Sequence, residues 1–226
     1  MDKRLIIAID GPAASGKSTT ARQLAQELGY VYLDTGAMYR ACALKAKRSG
    51  IDLRDEQSIS SMLNDLDISI KMTTDENVIH LDGEDVSQAI RANEISRLAS
   101  DISALPSVRY KMVELQRQLG AKGGVILDGR DIGTFVFPSA DIKFYLTASL
   151  EVRARRRWLE LEKKGVSVDL ESVMRDLAER DRNDKARDLA PLSKASDAVE
   201  IDTSEMSVEE QVEALYKIVK TRMGEL

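Results

Sequence analysis

Apolar residues along this chain fall into two patterns, short unbroken runs and longer stretches with helical spacing. Leu5-Ile6-Ile7-Ala8-Ile9 is continuous, of strand length and closed by Asp10-Gly11, which predicts a strand buried on both faces. After a glycine-rich break, Ala21, Leu24, Ala25 and Leu28 recur at helical spacing, and Gly29 stands where a helix would stop. The strand pattern returns at Val31-Tyr32-Leu33 before Asp34, at Val125-Ile126-Leu127 before Asp128, from Ile142 to Leu146 and from Val199 to Ile201. Helical spacing separates these runs: Val108, Met112, Leu115 and Leu119 lead to Gly120. Ser207-x-x-Glu210 is a capping box opening a last helix with Val212, Leu215, Tyr216 and Val219 on one face. Strands alternating with helices predict an α/β fold whose parallel sheet is covered on both sides.

One stretch breaks the alternation. Ile68, Ile70 and Met72 alternate with polar residues, Asp75-Glu76-Asn77 suits a turn, and Val78 to Leu81 runs apolar again, an antiparallel hairpin signal. Between Asp55 and Asp85 stand nine Asp or Glu against one basic residue, Lys71. An inserted, solvated subdomain is expected here. The whole chain carries 33 Lys and Arg against 38 Asp and Glu, so outside this stretch it is mildly basic.

Composition narrows the classes. With 226 residues, 43% hydrophobic and 31% charged, the chain is an ordinary globular protein large enough for a core without disulfides. The longest apolar run near its start is five residues, too short for a secretory signal, and no run approaches a membrane span. A cytoplasmic protein without membrane association is expected. One cysteine, Cys42, and one histidine, His80, exclude cysteine-rich zinc sites and most histidine metal sites. A net charge of -5 argues against nucleic acid as a partner. His80 reads as a hairpin side chain, Cys42 as packed between Ala41 and Ala43, and Trp158 as packing inward.

The first strand runs directly into Gly11, Pro12, Ala13, Ala14, Ser15, Gly16, Lys17 and Ser18, followed by Thr19. This is G-x-x-x-x-G-K-[ST] in its strand, loop, helix setting, the phosphate loop of nucleoside triphosphate binders. Glycines let successive N–H groups point inward, the helix adds its positive end, Lys17 reaches the β/γ-phosphates, and Ser18 suits Mg²⁺. No Asn-Lys-x-Asp marks guanine recognition. An acidic residue at a strand end completes such metal sites; Asp34 and Asp128 both stand at one. Asp128 is preferred, and helix capping is the alternative for either.

Four polar clusters follow strands, where ligands bind in open parallel sheets. Asp34-Thr35-Gly36-Ala37-Met38-Tyr39-Arg40 reads as a short loop suited to a polar ligand. In Asp128-Gly129-Arg130-Asp131-Ile132-Gly133-Thr134, Arg130 stands between two carboxylates placed to hold it. Arg153, Arg156 and Arg157 share a helix face while Arg155 points away; the repulsion suits a polyphosphate, and a solvated basic face is the alternative. The run Arg180-Asp181-Arg182-Asn183-Asp184-Lys185, with Arg187 before Ala190-Pro191-Leu192, reads equally as helical ion pairs.

Gly11 to Thr19, LDTGAMYR at 33–40, DGRDIGTFVFP at 128–138, the arginine-rich helix, and ERDRND with Arg187 before APL together resemble the bacterial-type cytidylate kinase family. The resemblance spans essentially the whole chain. It implies a single P-loop NTPase kinase domain whose five-stranded parallel sheet has the order 2-3-1-4-5. It also implies a monophosphate-binding region at 35–120 with a hairpin insertion at about 66–90, and a lid at about 149–187. Residue by residue, it places Thr35, Arg109, Asp131 and Arg187 at cytosine and Ser100, Arg180 and Asp184 at the ribose. Tyr39, Arg40 and Arg130 fall at the monophosphate, and Arg153, Arg156 and Arg157 along the transferred phosphate. Many relatives carry serine at the position of Thr35, and the position of Arg155 varies.

The expected reaction is ATP plus CMP or dCMP giving ADP plus CDP or dCDP, with Mg²⁺ as cofactor, in a monomer. An anionic acceptor needs no histidine base; Lys17, Arg130, Arg153, Arg156 and Arg157 would act by positioning and neutralising charge, with Ser18 and Asp128 toward the metal. A P-loop kinase for another acceptor is the nearest alternative, opposed by Arg40 and Arg130. A non-catalytic ATP-gated binding protein is a second, opposed by the intact Lys17 and Ser18.

Overall fold

A computed structural model describes residues 4–72 and 77–224. They fall into two compact units, the described residues of Met1–Tyr32 with Gly123–Leu226 and those of Leu33–Lys122.

The first unit is built on β1 (Ile6–Asp10), β2 (Val31–Asp34), which crosses into the second, β6 (Val125–Gly129), β7 (Ile142–Thr147) and β8 (Val199–Asp202). Their order in the sheet is β2-β6-β1-β7-β8, the expected 2-3-1-4-5 when these five are counted along the chain. β1 runs parallel to β6, Ile9 opposite Asp128, and parallel to β7, Ile7 opposite Ile142. Its central place explains its unbroken apolar run: Ile7, Ala8 and Ile9 are fully buried.

Helix α1 (Lys17–Leu28) ends at Gly29, whose left-handed φ of 63° returns its N–H to the last turn. Helix α8 (Val208–Met223) carries the complete capping box: Ser207 Oγ accepts from Glu210 N, and Glu210 accepts from Ser207 N. Leu24 of α1 and Leu215 and Val219 of α8 cover Ile7, Ile9, Phe144 and Leu146. Helices α6 (Leu150–Lys163) and α7 (Leu170–Lys185) pack together, Ala154, Leu161, Val173 and Leu177 closing on Ala13. Trp158 joins them half-buried, its indole N–H donating to the Val168 carbonyl, which agrees with inward packing.

The second unit holds α2 (Thr35–Arg48), α3 (Glu56–Asn64), β3 (Ile68–Met72), β4 (Asn77–Leu81), β5 (Glu84–Asp85), α4 (Asn93–Ile102) and α5 (Pro106–Gly120). Its core gathers Met38, Ala41, Cys42 and Leu44 of α2 with Ile59, Ile68, Ile79, Leu81, Ile95, Ile102 and Met112. Cys42 is packed, as its alanine neighbours indicated.

Four expectations change. The 34–40 segment is no loop: α2 starts at Thr35, because Asp34 caps it by accepting from Ala37 N. The hairpin is present, Ile70 opposite Ile79, but β4 also pairs with β5, too short to show a pattern. Of the expected turn, Asp75 and Glu76 lie outside the described residues. The insertion is not simply solvated: Ile59, Met62, Leu63 and Leu66 are buried, Asp82 binds Lys45, and Glu84 binds Arg48. On α5 the buried face holds Arg109 and Gln116 and leaves Leu119 exposed. Val108 and Met112 are buried and Leu115 packs on the core, as the apolar spacing marks, so the departure is confined to Leu119 and to the two polar residues that share the buried face.

Candidate active site

In the first unit the chain leaves β1 at Gly11, whose φ is +148°. A side chain there would put its Cβ 2.0 Å from the Leu146 carbonyl oxygen, so the residue must lack one. Ala14 and Gly16 then take left-handed angles, curling the loop so that α1 starts at Lys17. Lys17 is buried and donates from Nζ to the Pro12 carbonyl at 2.6 Å and Ser15 Oγ at 3.3 Å. Burial, and next the Arg130 charge, push its ammonium down to about 7. An arriving anion would restore its charge.

The two strand-end aspartates differ. Asp34 caps α2 and pairs with Arg40 at 2.9 Å. Asp128 accepts from Ser18 Oγ at 2.7 Å and Tyr32 Oη at 2.9 Å, so the phosphate-loop hydroxyl meets Asp128, the preferred residue. A hydroxyl and a carboxylate are the hard oxygen donors that a small divalent cation shares with phosphates and water. Among the described residues, no group of three or more His, Cys, Asp or Glu gathers as a metal cage.

Arg130 does not rest between its flanking carboxylates. Its Nε donates to Asp184 Oδ2 at 2.9 Å, across 54 positions, and Arg187 binds the other Asp184 oxygen. Burial opposes ionisation of Asp184, and the arginines override it, Arg130 first, holding the carboxyl below its ordinary value. The predicted arginine row on α6 is likewise divided. Arg153 is buried, pairing with Asp181 at 2.7 Å and donating to the Ala13 and Ala148 carbonyls. Arg156 donates to Thr203 Oγ1 and carbonyl oxygen, and Arg157 pairs with Glu160. Arg155 is exposed, as its spacing indicated. The Arg180 charge acts on Lys17 and Asp184, and Asp131 is buried at the start of a π turn over Ile132–Val136.

In the second unit, Thr35 is buried in the first turn of α2, with Tyr39 and Arg40 on the next. Arg109 reaches back from α5: it is 1% exposed, donates to Tyr39 Oη at 3.1 Å, and lies 5.7 Å from that ring's centroid. Ser100, half-buried on α4, accepts from Ser103 Oγ through its carbonyl.

The cytidylate kinase family profile matches residues 7–221. A Geobacillus kaustophilus protein named cytidylate kinase is 49% identical over 224 residues, 99% of this chain and 100% of that protein. The chain belongs to the cytidylate kinase family. A second member, named cytidylate kinase in Syntrophotalea carbinolica, is 50% identical over 222 residues, covering 98% of this chain and 94% of its own. The crystal structure of a shikimate kinase from Bacteroides thetaiotaomicron aligns with a TM-score of 0.50 at 11% identity, over 96% of this chain and 98% of that one. That likeness concerns the fold alone.

In this cytidylate kinase family member, the roles of four site residues escape a reading of motifs. Asp10 is buried and accepts from Ile132 N at 2.8 Å and Gly133 N at 2.7 Å, fastening the turn that follows Arg130. Its position at the end of β1, beside the phosphate loop, was the available signal. Burial raises its carboxyl to about 7. Asp181 holds Arg153, Gln211 accepts from Thr20 Oγ1 at 2.8 Å, and Thr203 binds Arg156. Nothing local distinguishes Gln211 and Thr203 from surface residues, and Asp181 stands inside the ERDRND run, where its neighbours suggest only helical ion pairs.

Proposed function

We propose that the protein transfers the γ-phosphoryl group of ATP to the phosphate of CMP or dCMP, releasing ADP and CDP or dCDP. The observation that carries this reading is a phosphate loop with a buried lysine, surrounded in one unit by Arg130, Arg153 and Arg156, in a cytidylate kinase family chain. A phosphate acceptor is already anionic, so no residue need remove a proton; positioning and charge neutralisation do the work.

Each residue then has a task. The loop Gly11–Thr19 takes the ATP phosphates on backbone N–H groups, and Lys17 exchanges the Pro12 carbonyl and Ser15 hydroxyl for phosphate oxygens. Arg130, Arg156 and Arg157 neutralise the moving group, while Arg153 braces the loop through Ala13. Ser18 and Asp128 are the residues toward Mg²⁺, which when bound neutralises phosphate charge. Tyr39, Arg40 and Arg130 take the acceptor phosphate; Thr35, Arg109, Asp131 and Arg187 the cytosine; Ser100, Arg180 and Asp184 the ribose. The 149–187 segment closes over the reactants and excludes water.

The experiment is ADP release measured with ATP-Mg²⁺ over CMP, dCMP, UMP, AMP and GMP. Turnover with the cytosine nucleotides far above the purine ones is expected, with little ATP hydrolysis when acceptor is omitted. Equal use of AMP, or turnover only with hydroxyl acceptors, would overturn the assignment.

A further inference from the structure

Four of the arginines read as phosphate ligands have a carboxylate partner: Arg40 has Asp34, Arg130 has Asp184, Arg153 has Asp181 and Arg157 has Glu160. Arg156 is different. Among the described residues its guanidinium meets only neutral acceptors, Thr203 Oγ1 from Nη1 at 3.0 Å and the Thr203 carbonyl from Nη2 at 2.6 Å. The nearby Asp202 carboxylate, whose Oδ1 accepts the N–H and hydroxyl of Ser204, acts on Arg156 through space without a hydrogen-bonded ion pair. Arg156 is also close to the phosphate loop: a Cβ built on Gly16 would lie 3.8 Å from its Nη1.

Thr203 is fully buried, and its place is determined. Its N–H donates to the Thr147 carbonyl at 2.8 Å, tying it to the end of β7. Its Oγ1 lies 3.0 Å from both the Ser15 and the Thr147 carbonyl oxygens. Carbonyls only accept, so the hydroxyl hydrogen must point to one of them, and the oxygen lone pairs are left for Arg156. One hydroxyl thus joins the backbone of the phosphate loop to an arginine of α6 without cancelling its charge.

We infer that Thr203 is a positioning residue for phosphoryl transfer, holding Arg156 at the rim of the phosphate loop with its charge free for the transferred phosphate. This rests on the kinase reading above. A neutral anchor fixes direction, whereas a carboxylate would compete with phosphate for the guanidinium.

The test is a double-mutant cycle read as kcat and KM for ATP with CMP as acceptor. Thr203→Val keeps the shape and removes the hydroxyl; a hydrogen bond to a charged group corresponds to about ten- to hundredfold in kcat. Thr203→Ser should restore most of it. Arg156→Met should lose at least as much, and adding Thr203→Val to Arg156→Met should cost less than about threefold more. A full additional loss in the Arg156→Met background would mean that Thr203 serves only loop stability, overturning the inference. Normal kcat in Thr203→Val with a crippled Arg156→Met would also overturn it, while leaving the kinase reading intact. Normal kcat in both would remove the phosphate role of Arg156, and the inference with it. Should Thr203→Val not fold, Thr203→Ala carries the same comparison.

Discussion

Lys17 should impair folding and enable turnover, and the two effects separate by pH. It is 4% exposed and donates to two neutral oxygens, so its charge is poorly compensated and burial brings its ammonium down to about 7 from the ordinary 10.5. Between these values the unfolded chain holds a proton that the folded protein has released, so stability contributed at this residue rises with pH. The slope approaches about 1.4 kcal/mol per pH unit; half-titration at the start leaves about 2 kcal/mol gained from pH 7 to pH 9. Asp10, raised to about 7, has the opposite slope, mainly below pH 7; the Lys17 charge holds its carboxyl down, so Lys17→Met moves that slope upward in pH and widens the difference expected between the two proteins. Lys17→Met keeps the chain length and removes the charge. Urea unfolding followed by Trp158 fluorescence at pH 7, 8 and 9 should show the natural protein gaining about 2 kcal/mol on the variant across that range. In the same samples the variant should lose at least about a thousandfold in turnover, roughly 4 kcal/mol of transition-state stabilisation. Parallel stability profiles would refute the assigned burial of charge, and near-normal turnover would refute the role of Lys17.

Three further outcomes follow from the geometry. Gly11→Ala should cost several kcal/mol and ATP affinity, because its Cβ would overlap the Leu146 carbonyl, whereas Gly29→Ala, also at positive φ but with nothing within 4 Å, should cost about 1 kcal/mol and leave kinetics unchanged; thermal melts and KM for ATP measure both. Asp184→Asn removes the buried carboxylate shared by Arg130 and Arg187 and should destabilise by about 3 kcal/mol in denaturant titrations while raising KM for CMP. Cys42, whose thiol burial pushes up to about 12, should resist iodoacetamide at pH 8 in the folded protein and react at once in urea, as counted by intact mass.

What the chain order alone determined is what neighbours a few residues apart decide. The apolar run from Leu5 to Ile9, the phosphate loop after it, Gly29 ending α1 and the Ser207 box opening α8 all depend on backbone hydrogen bonds or side-chain spacing within one or two turns. They are therefore legible in the sequence itself. Asp34 marked the limit of such local signals: the same residue suits a metal site or a helix cap, and only the contact with Ala37 N shows the cap. Tertiary structure alone decided which charges meet. Arg130 has Asp131 beside it in sequence yet binds Asp184, Arg153 turns from its predicted row to Asp181, and Thr203 meets Arg156 across 47 positions. Arg109, charged by composition, faces inward to meet Tyr39 across 70 positions, while Leu119 on the same helix is left exposed. The reason is physical: an ion pair or a buried polar group is satisfied by whatever the folded chain brings within about 3 Å, and that distance carries no trace of separation in sequence.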